Sequence, residues 1–198
     1  KKAFEICREI ISAYPKSRGA NQAQNLMNQI RSKTLEVKIE RVNSPDVPNR
    51  MFIRYTNVPK LYFRIVKTTL FEYQLLSGRH YGNNILPKLL KLQTVKEIEQ
   101  ELPDDHDFNT HSTEVQLPAL PFGYYVVLAS TSKSFAQNNQ VNAYQLCVVS
   151  DLAYLHQKNK LGNNDFYVLH RESGKALAGV SAQVWTWGYN NKTKKGEY

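Results

Sequence analysis

The amino-acid sequence predicts a mainly β chain, in which an N-terminal helical hairpin precedes an antiparallel β-sandwich that carries a helical insertion. Three observations support this fold class. Apolar residues recur at three- and four-residue spacing before residue 33, whereas from Leu35 onwards they alternate with polar residues. Short strand-like segments then follow one another between turns rich in Pro and Gly. No βαβ pattern intervenes, which favours an antiparallel sandwich over a parallel sheet.

Residues 1–33 have the pattern of two amphipathic helices. The first apolar set ends at Pro15, and Ser17 then stands where the second helix needs its N-cap. The apolar positions are Phe4, Ile6, Cys7, Ile10, Ile11 and Tyr14 in the first helix and Ala20, Ala23, Leu26, Met27 and Ile30 in the second. The resulting hairpin has apolar faces that need a partner.

Residues 34–150 are predicted to form the first sandwich. Alternating apolar residues indicate strands at 35–39, 51–55 and 61–65, with a turn between the last two, and these strands are predicted to form a β-meander. Further strands are predicted at 113–117, 123–131 and 141–149. Between about 70 and 110, the leucine-rich segment after Pro87 and the segment after Thr94 suit one or two short helices, inserted between strands.

Residues 151–198 begin a second set of strands, predicted at 152–157, 165–170 and 180–187. The segment 172–175 (ESGK) has turn-forming residues and a glycine that can take a positive φ, and we expect it to form a hairpin turn. This set has too few strands to close a sandwich of ordinary size. It is therefore either the opening of a second domain or a group of strands that completes the first.

Composition excludes several classes of protein. The chain has 198 residues, 41% hydrophobic and 22% charged, which is unlike disordered or collagen-like sequence. No apolar run approaches the roughly 18–20 residues of a membrane-spanning helix. Cys7 and Cys147 each lie in an apolar periodic segment, so buried free thiols are expected. The net charge of +9 is concentrated at the two ends without interleaved stacking aromatics, so no nucleic-acid partner is expected.

The sequence gives no positive support for catalysis. It contains no Gly-x-Ser-x-Gly elbow, and its nine glycines are scattered rather than gathered in a phosphate-binding loop. The only local cluster of ligand-type residues, Asp104, Asp105, His106 and Asp107 with His111, lacks the glycine of a calcium loop and is expected to be a solvated acidic loop. The chain is therefore predicted to be no enzyme and to hold no cofactor or metal. A hydrolase would need one of these side chains to meet a nucleophile.

Trp185, Trp187 and Tyr189 form the candidate interaction site. In an extended strand these three residues share one face, and smaller residues share the other. An exposed aromatic row can stack on sugars or bury itself in a protein partner. Packing on a neighbouring domain explains the same pattern.

Three segments together resemble the large bacterial alpha-2-macroglobulin-like proteins. In that family, one macroglobulin domain ends with a G-x-Y-x-V segment and a closing strand, and the next opens with V-S-D-L and a T-G-K-P-L-A-G-A hairpin. The matching segments here are 123–129 (GYYVVLA), 148–153 (VVSDLA) and 171–180 (RESGKALAGV). Ser173 and Ala176 stand where Thr and Pro are common in the family.

The resemblance implies a macroglobulin-like, that is immunoglobulin-like, sandwich in a very large secreted or cell-envelope protein. Such proteins inhibit endopeptidases: a bait region is cut, the molecule rearranges, and in many members a thioester of the form Cys-x-Glu-Gln captures the protease. Residues 7–10 (CREI) have Ile10 where the reacting Gln must be, so no capture residue carries over to this chain.

The sequence therefore predicts a non-catalytic structural module, expected to be a piece of a longer chain in the periplasm, on the outer membrane or at the cell surface. Its domains would be a hairpin at 1–33, a sandwich at 34–150 and the opening of a second sandwich at 151–198. Its partners would be neighbouring domains, with proteases as targets of the whole protein and any membrane anchor outside this chain. The alternative is a cell-surface binding module that holds a glycan or protein through Trp185, Trp187 and Tyr189.

Overall fold

The computed structural model describes residues 1–77, 85–103, 106–136, 138, 140–183, 188–190 and 195–197. The contacts within the chain divide it into two units, Lys1–Ser150 and Asp151–Tyr198. Within the described ranges, no helix combines the length and hydrophobicity needed to cross a membrane.

The N-terminal hairpin consists of α1 (Lys2–Ala13) and α2 (Arg18–Arg31). Ser17 is the N-cap of α2, and its hydroxyl oxygen accepts a hydrogen bond of 3.0 Å from the backbone N–H of Ala20. This satisfies one of the amide groups that a helix start leaves without an intrahelical partner. The predicted pair of helices and its cap are confirmed. Cys7, Ala23 and Met27 are buried between the helices.

Asn57 and Phe108 join this hairpin to the rest of the first unit. The side-chain amide of Asn57 donates hydrogen bonds to the carbonyl oxygens of Ile30 at 2.8 Å and Ser32 at 3.0 Å. The ring of Phe4 stacks on the ring of Phe108 with centroids 5.0 Å apart. The end of α2 and the start of α1 are therefore both attached to loops of the sandwich.

The sandwich contains eight strands in two sheets. The three-stranded sheet has the order β1-β3-β6, and the five-stranded sheet has the order β2-β8-β7-β4-β5. All neighbouring strands are antiparallel except β2 and β8, which are parallel. The strands are β1 (Thr34–Ile39), β2 (Val42–Asn43), β3 (Asn49–Thr56), β4 (Lys60–Thr68), β5 (Thr94–Glu101), β6 (Thr110–Leu117), β7 (Gly123–Ser130) and β8 (Asn142–Val149).

The main hydrophobic core lies between these two sheets. Alternate residues of each strand point into it, as the period of two predicts. The three-stranded sheet contributes Val37, Ile39, Met51, Ile53, Tyr55, Val115 and Leu117, and the five-stranded sheet contributes Leu61, Phe63, Ile65, Tyr125, Val127, Ala129, Cys147 and Val149. The predicted mainly β sandwich is confirmed at this level.

A second core covers the outer face of the five-stranded sheet. The insertion supplies α3 (Leu70–Ser77) and α4 (Leu86–Leu89). Leu86 and Leu89 pack with Val126 and Leu128 of β7, whose side chains point away from the first core. The β7 strand is therefore buried on both faces, which explains its uninterrupted apolar run.

The prediction of a helix after Thr94 is wrong, because Thr94–Glu101 is the edge strand β5 and pairs with β4. Its charges find partners across the strands: the carboxylate of Glu97 lies 2.8 Å from Arg64 Nε, and Lys60 Nζ lies 2.9 Å from two carboxylates of β5. Ile98 meanwhile packs against the main core. These cross-strand contacts override the local helical spacing, and the charges protect the sheet edge from further pairing.

The predicted β-meander of residues 35–65 is correct for its first pair of strands and wrong for its second. β1 pairs with β3 in the antiparallel direction, but β3 and β4 belong to different sheets. The turn between them has Asn57 at a positive φ of 55° and carries the chain across the core. A short turn between two strands therefore does not establish that the strands pair.

The chain also changes sheet between β1 and β2, which are separated by two residues. Where β1 ends, the side-chain amide of Gln145 on β8 takes the place of a strand neighbour. Its Nε2 donates to the carbonyl of Ile39 at 2.7 Å, and its Oε1 accepts from the backbone N–H of Ile39 at 3.0 Å. This pair of bonds satisfies the backbone at the point of crossing.

The second unit contains β9 (Leu152–Lys158), β10 (Asn164–His170), β11 (Gly188–Asn190) and β12 (Lys195–Glu197). β9 pairs with β10 and β11 pairs with β12, both antiparallel. The predicted strand at 180–187 is wrong for residues 180–183, which form no strand, and residues 184–187 lie outside the described part of the chain.

Candidate functional site

The predicted interaction site falls largely outside the described residues. Trp185 and Trp187 are not among them. The backbone of Tyr189 lies in β11, while its side chain is outside the description. The hypothesis of an aromatic row on one strand face therefore stays a prediction. Within the described part of the second unit, a cluster of exposed apolar side chains lies on the β9–β10 hairpin.

A short loop closes this hairpin at Asn159. The Asn159 side-chain oxygen accepts hydrogen bonds of 3.0 Å from the backbone N–H groups of Leu161 and Asn163. The backbone N–H of Asn159 donates to the carbonyl of Asn163 at 2.9 Å, and Gly162 has a φ of 81° that suits glycine. The loop is therefore determined by local sequence, since Asn and Gly are typical turn residues.

One face of the hairpin carries a row of aromatic rings. Tyr154 lies opposite Val168, and His156 lies opposite Phe166, in an unbroken antiparallel register. The Phe166 ring stacks on the His156 ring with centroids 4.8 Å apart, and the Tyr154 ring is 6.3 Å away from it. The row is nevertheless accessible, because Tyr154 is 69% exposed.

The opposite face of the same hairpin is also apolar. Leu155 and Tyr167 are paired across the strands and point away from the first row. Leu155 is 61% exposed, and the Tyr167 hydroxyl accepts a hydrogen bond of 3.3 Å from the side-chain amide of Gln157. A two-stranded ribbon with exposed apolar groups on both faces is marginally stable in water. Exposed apolar surface of this kind makes the hairpin a candidate interaction site.

The base of the hairpin is fastened by polar contacts. The carboxylate of Asp151 lies 3.7 Å from His170 Nε2, and the Asp151 carbonyl accepts the backbone N–H of Arg171. After β10 the chain reverses, so that Leu169 bridges Ala176, and Gly174 takes a φ of 66°. The predicted turn at 172–175 is confirmed, with glycine at the position that needs a positive φ.

The predicted acidic loop is described only from His106 onwards, because Asp104 and Asp105 lie outside the described residues. The carboxylate of Asp107 accepts hydrogen bonds from the Asn109 backbone N–H at 2.8 Å and from the Asn109 side chain at 2.7 Å. His111 Nε2 lies 2.9 Å from it. The Asn109 backbone bond, followed by the His111 contact, holds the pKa of Asp107 well below its usual range.

This loop is a structural brace in the described part of the chain. Where side chains are described, no group of three or more His, Cys, Asp or Glu residues could hold a metal ion. Asp107 is instead engaged by its own loop, next to the Phe108 ring that contacts the N-terminal hairpin. These hydrogen bonds hold the loop that carries Phe108, and Phe108 contacts α1.

Both cysteines are free and buried, as the sequence predicts. Cys147 lies in the main core, and burial raises the pKa of its thiol to about 11. A thiol with this pKa is almost entirely protonated at neutral pH and is a poor nucleophile. Cys7 lies between the two N-terminal helices. Neither residue offers positive evidence for covalent catalysis.

Sequence reasoning missed the β9–β10 surface, although a signal was present. In each strand, apolar side chains occupy adjacent positions, Tyr154 with Leu155 and Phe166 with Tyr167. Adjacent apolar residues in a strand point to opposite faces, and they therefore predict that other elements pack on both faces of that strand.

Comparisons with known proteins place no family on the chain. No family model matches it, and no curated protein matches it significantly. A CARDB domain from Pyrococcus furiosus, solved with di-metal ions, has 12% identity and a TM-score of 0.33 over 60% of this chain and 88% of that one.

Two further solved structures are similarly distant. Spo0M, a sporulation control protein from Bacillus subtilis, has 5% identity and a TM-score of 0.36 over 72% of this chain and 69% of that one. A superoxide reductase (neelaredoxin) from Ignicoccus hospitalis has 8% identity and a TM-score of 0.31 over 65% and 87%. At these TM-scores the likenesses carry no argument about function.

Proposed function

We propose that this chain is a non-catalytic structural module of a large alpha-2-macroglobulin-like protein, which inhibits endopeptidases by bait cleavage and trapping. The sandwich would be a macroglobulin-like domain, and the second unit would open the next domain. The location would be extracytoplasmic, with the anchor and the bait region elsewhere in the parent protein. The partners of this chain would be neighbouring domains.

One observation carries the proposal: one of the family-like motifs spans the boundary between the two units. Residues 148–153 span that boundary, while residues 123–129 form all but the last residue of the doubly buried strand β7. Residues 171–180 contain the reversal at Gly174. In the family, the corresponding motifs close one domain and open the next, so this coincidence supports a tandem arrangement.

The exposed β9–β10 hairpin supports the same proposal. Its apolar side chains on both faces need cover that the two strands do not give one another. Neighbouring domains of a long array would supply that cover. The rigid sandwich would then transmit a rearrangement caused by cleavage elsewhere, since packed domains move as bodies about their linkers.

The test uses the full-length parent protein with trypsin and elastase as probes. Trapping predicts that each protease loses activity towards a large protein substrate but keeps activity towards a small peptide substrate. The cut parent should also migrate faster on a native gel, because trapping compacts it. A protease that digests both substrates unhindered, with no change in mobility, would show that the parent is not a trap.

A control separates this function from ordinary digestion. The parent is first inactivated by a single cleavage with one protease and then offered a second one. A trap acts once, so the pre-cleaved protein should no longer protect the second protease from a large inhibitor. Equal protection before and after cleavage would contradict the proposed mechanism.

A further inference from the structure

The outer face of the three-stranded sheet carries an open cavity of mixed polar and apolar lining that the proposed scaffold role does not use. Its volume is about 540 Å³. It is lined by Lys38, Ile39, Glu40, Asn43, Pro48, Asn49, Arg50, Phe52 and Glu114. A second cavity of about 330 Å³ adjoins it and shares Arg50 and Glu114. Together they form one depression across β1, β3 and β6, within the size range of small-ligand sites.

The charged side chains around this depression contact one another. Arg50 lies 2.8 Å from the carboxylate of Glu114. Glu36 accepts contacts from Lys38 at 2.9 Å and Arg54 at 3.4 Å. The lining itself carries two cationic side chains and two carboxylates, so its formal charge is balanced and favours neither anions nor cations. A neutral ligand rich in hydroxyl groups can instead hydrogen-bond to the outer sides of these pairs.

Phe52 supplies an apolar surface in the middle of the polar groups. It lies opposite Lys38 on β1 and opposite Glu114 on β6, so all three side chains share the outer face. The ring is half-buried, and the Arg54 guanidinium lies 5.9 Å from its centroid. A flat aromatic ring flanked by charged hydrogen-bonding groups matches a sugar ring, which has an apolar C–H face and hydroxyls at its rim.

The rim of the cavity is held in place by side-chain hydrogen bonds. The amide of Asn49 donates to the carbonyls of Ser44 at 3.1 Å and Val47 at 3.0 Å. The buried amide of Asn43 donates to the carbonyl of Glu40 at 2.8 Å. The loop that follows β2 is therefore fixed before any ligand arrives, which lowers the entropic cost of binding.

We propose that this cavity binds a neutral carbohydrate, with Phe52 stacked on a sugar ring and Arg50, Glu114 and Lys38 bonded to its hydroxyls. The site belongs to the first unit alone and is independent of the proposed trapping function. It differs in place from the aromatic row at Trp185, Trp187 and Tyr189. The ligand class follows from the balanced charge, the aromatic ring in the lining and the size of the depression.

The test is a titration of the isotopically labelled 198-residue chain with maltose, cellobiose and N,N′-diacetylchitobiose, followed by amide chemical shifts. With about 10 mM sugar, a Kd of about 1 mM gives near-saturation, which sets the sensitivity of the experiment. At least one sugar should produce saturable shifts at the amides of Lys38, Phe52 and Glu114. Binding should change little with added salt, because no net charge is neutralised.

Variants then identify the stacking ring. Phe52→Ala should weaken binding at least tenfold, whereas Phe122→Ala, which removes an exposed ring elsewhere, should leave the Kd unchanged. Because loss of Phe52 can destabilise the sheet, Phe52→Leu is the second variant, since it keeps apolar volume but removes the flat ring. Glu114→Gln should weaken binding less, because an amide still bonds to hydroxyls.

Several results would overturn the inference. These are no saturable shift with any of the three sugars, equal losses for Phe52→Ala and Phe122→Ala, or tighter and salt-sensitive binding of digalacturonate. An extended Thr–Val peptide that shifts every amide along β6 while the sugars shift none would show strand addition instead.

Discussion

Strand β7 and the β9–β10 hairpin share one sequence property and differ in its outcome. Both carry apolar side chains on both faces. In β7, Val127 points into the core between the sheets and Leu128 packs under the helices of the insertion, and both are fully buried. In the hairpin, Tyr154 and Leu155 also point to opposite faces, and both are exposed. The same pattern therefore indicates a satisfied core in one place and an unsatisfied surface in the other.

The largest expected effect comes from truncating the buried strand. Leu128→Ala removes a fully buried side chain from the second core, so we expect a loss of about 2–5 kcal/mol in the free energy of unfolding. Urea denaturation followed by circular dichroism measures it. A loss below about 1 kcal/mol would mean that the helices of the insertion do not cover β7 tightly.

Removing the amide that bonds β1 should have the next largest effect. Gln145→Ala leaves the N–H and carbonyl of Ile39 without these bonds, and we expect a loss of about 1–2 kcal/mol. Gln157→Ala is the matched control, because its amide makes one bond on the exposed hairpin. If the two variants lose equal stability in urea denaturation, the proposed support at the sheet crossing is wrong.

The acidic edge of the sandwich predicts a dependence on pH. Hydrogen bonds from Lys133 and then Lys60 lower the pKa of Glu99 to about 2, from its ordinary value of 4.5. The contribution of Glu99 to the free energy of unfolding is thus fully present above about pH 4.5 and is lost as the pH falls towards 2. Glu99→Gln should lower the melting temperature at pH 7 and lower it much less at pH 2.

The control for this experiment is Glu9→Gln on the exposed side of α1. It should leave the dependence of the melting temperature on pH unchanged. A Glu99→Gln variant whose curve runs parallel to that of the natural chain down to pH 2 would show that these ion pairs do not contribute to stability, as is common for exposed pairs.

The smallest expected effect is on the exposed hairpin. Leu155→Ala should change the free energy of unfolding of this chain by less than about 0.5 kcal/mol, because the side chain is largely solvent-exposed. The same substitution in the full-length parent should destabilise it measurably, since neighbouring domains would cover this face. Equal, small effects in both proteins would mean that the hairpin surface is not an interface.

Predictions from the sequence were correct where a local property of one residue determines the structure. Ser17 as an N-cap and Gly174 at a positive φ were predictable, because each depends on a local property of its residue. Residues 94–101 were not, because the spacing of Val95 and Ile98 also suits a helix and the deciding contacts come from β4. The pairing of β3 and β4 failed for the same reason, since sheet membership is a tertiary property.

The candidate sites divide in the same way. The exposed hairpin could have been found from adjacent apolar residues within its strands. The cavity at Phe52 could not, because it depends on Glu114, which is 62 positions away in the sequence and joins β3 only through sheet pairing. The register between strands that are distant in sequence determines which charged side chains lie next to one another. A local sequence pattern does not predict that register.

The crossing of the chain from β1 to β2 has a mechanical consequence. Only Glu40 and Arg41 separate a strand of one sheet from a strand of the other, and the amide of Gln145 ties the junction to β8. A force applied to the N-terminal end of the chain would act along β1. The hydrogen bonds between β1 and β3 would then be sheared together and would not break one by one. Under such tension, the two sheets would share that force.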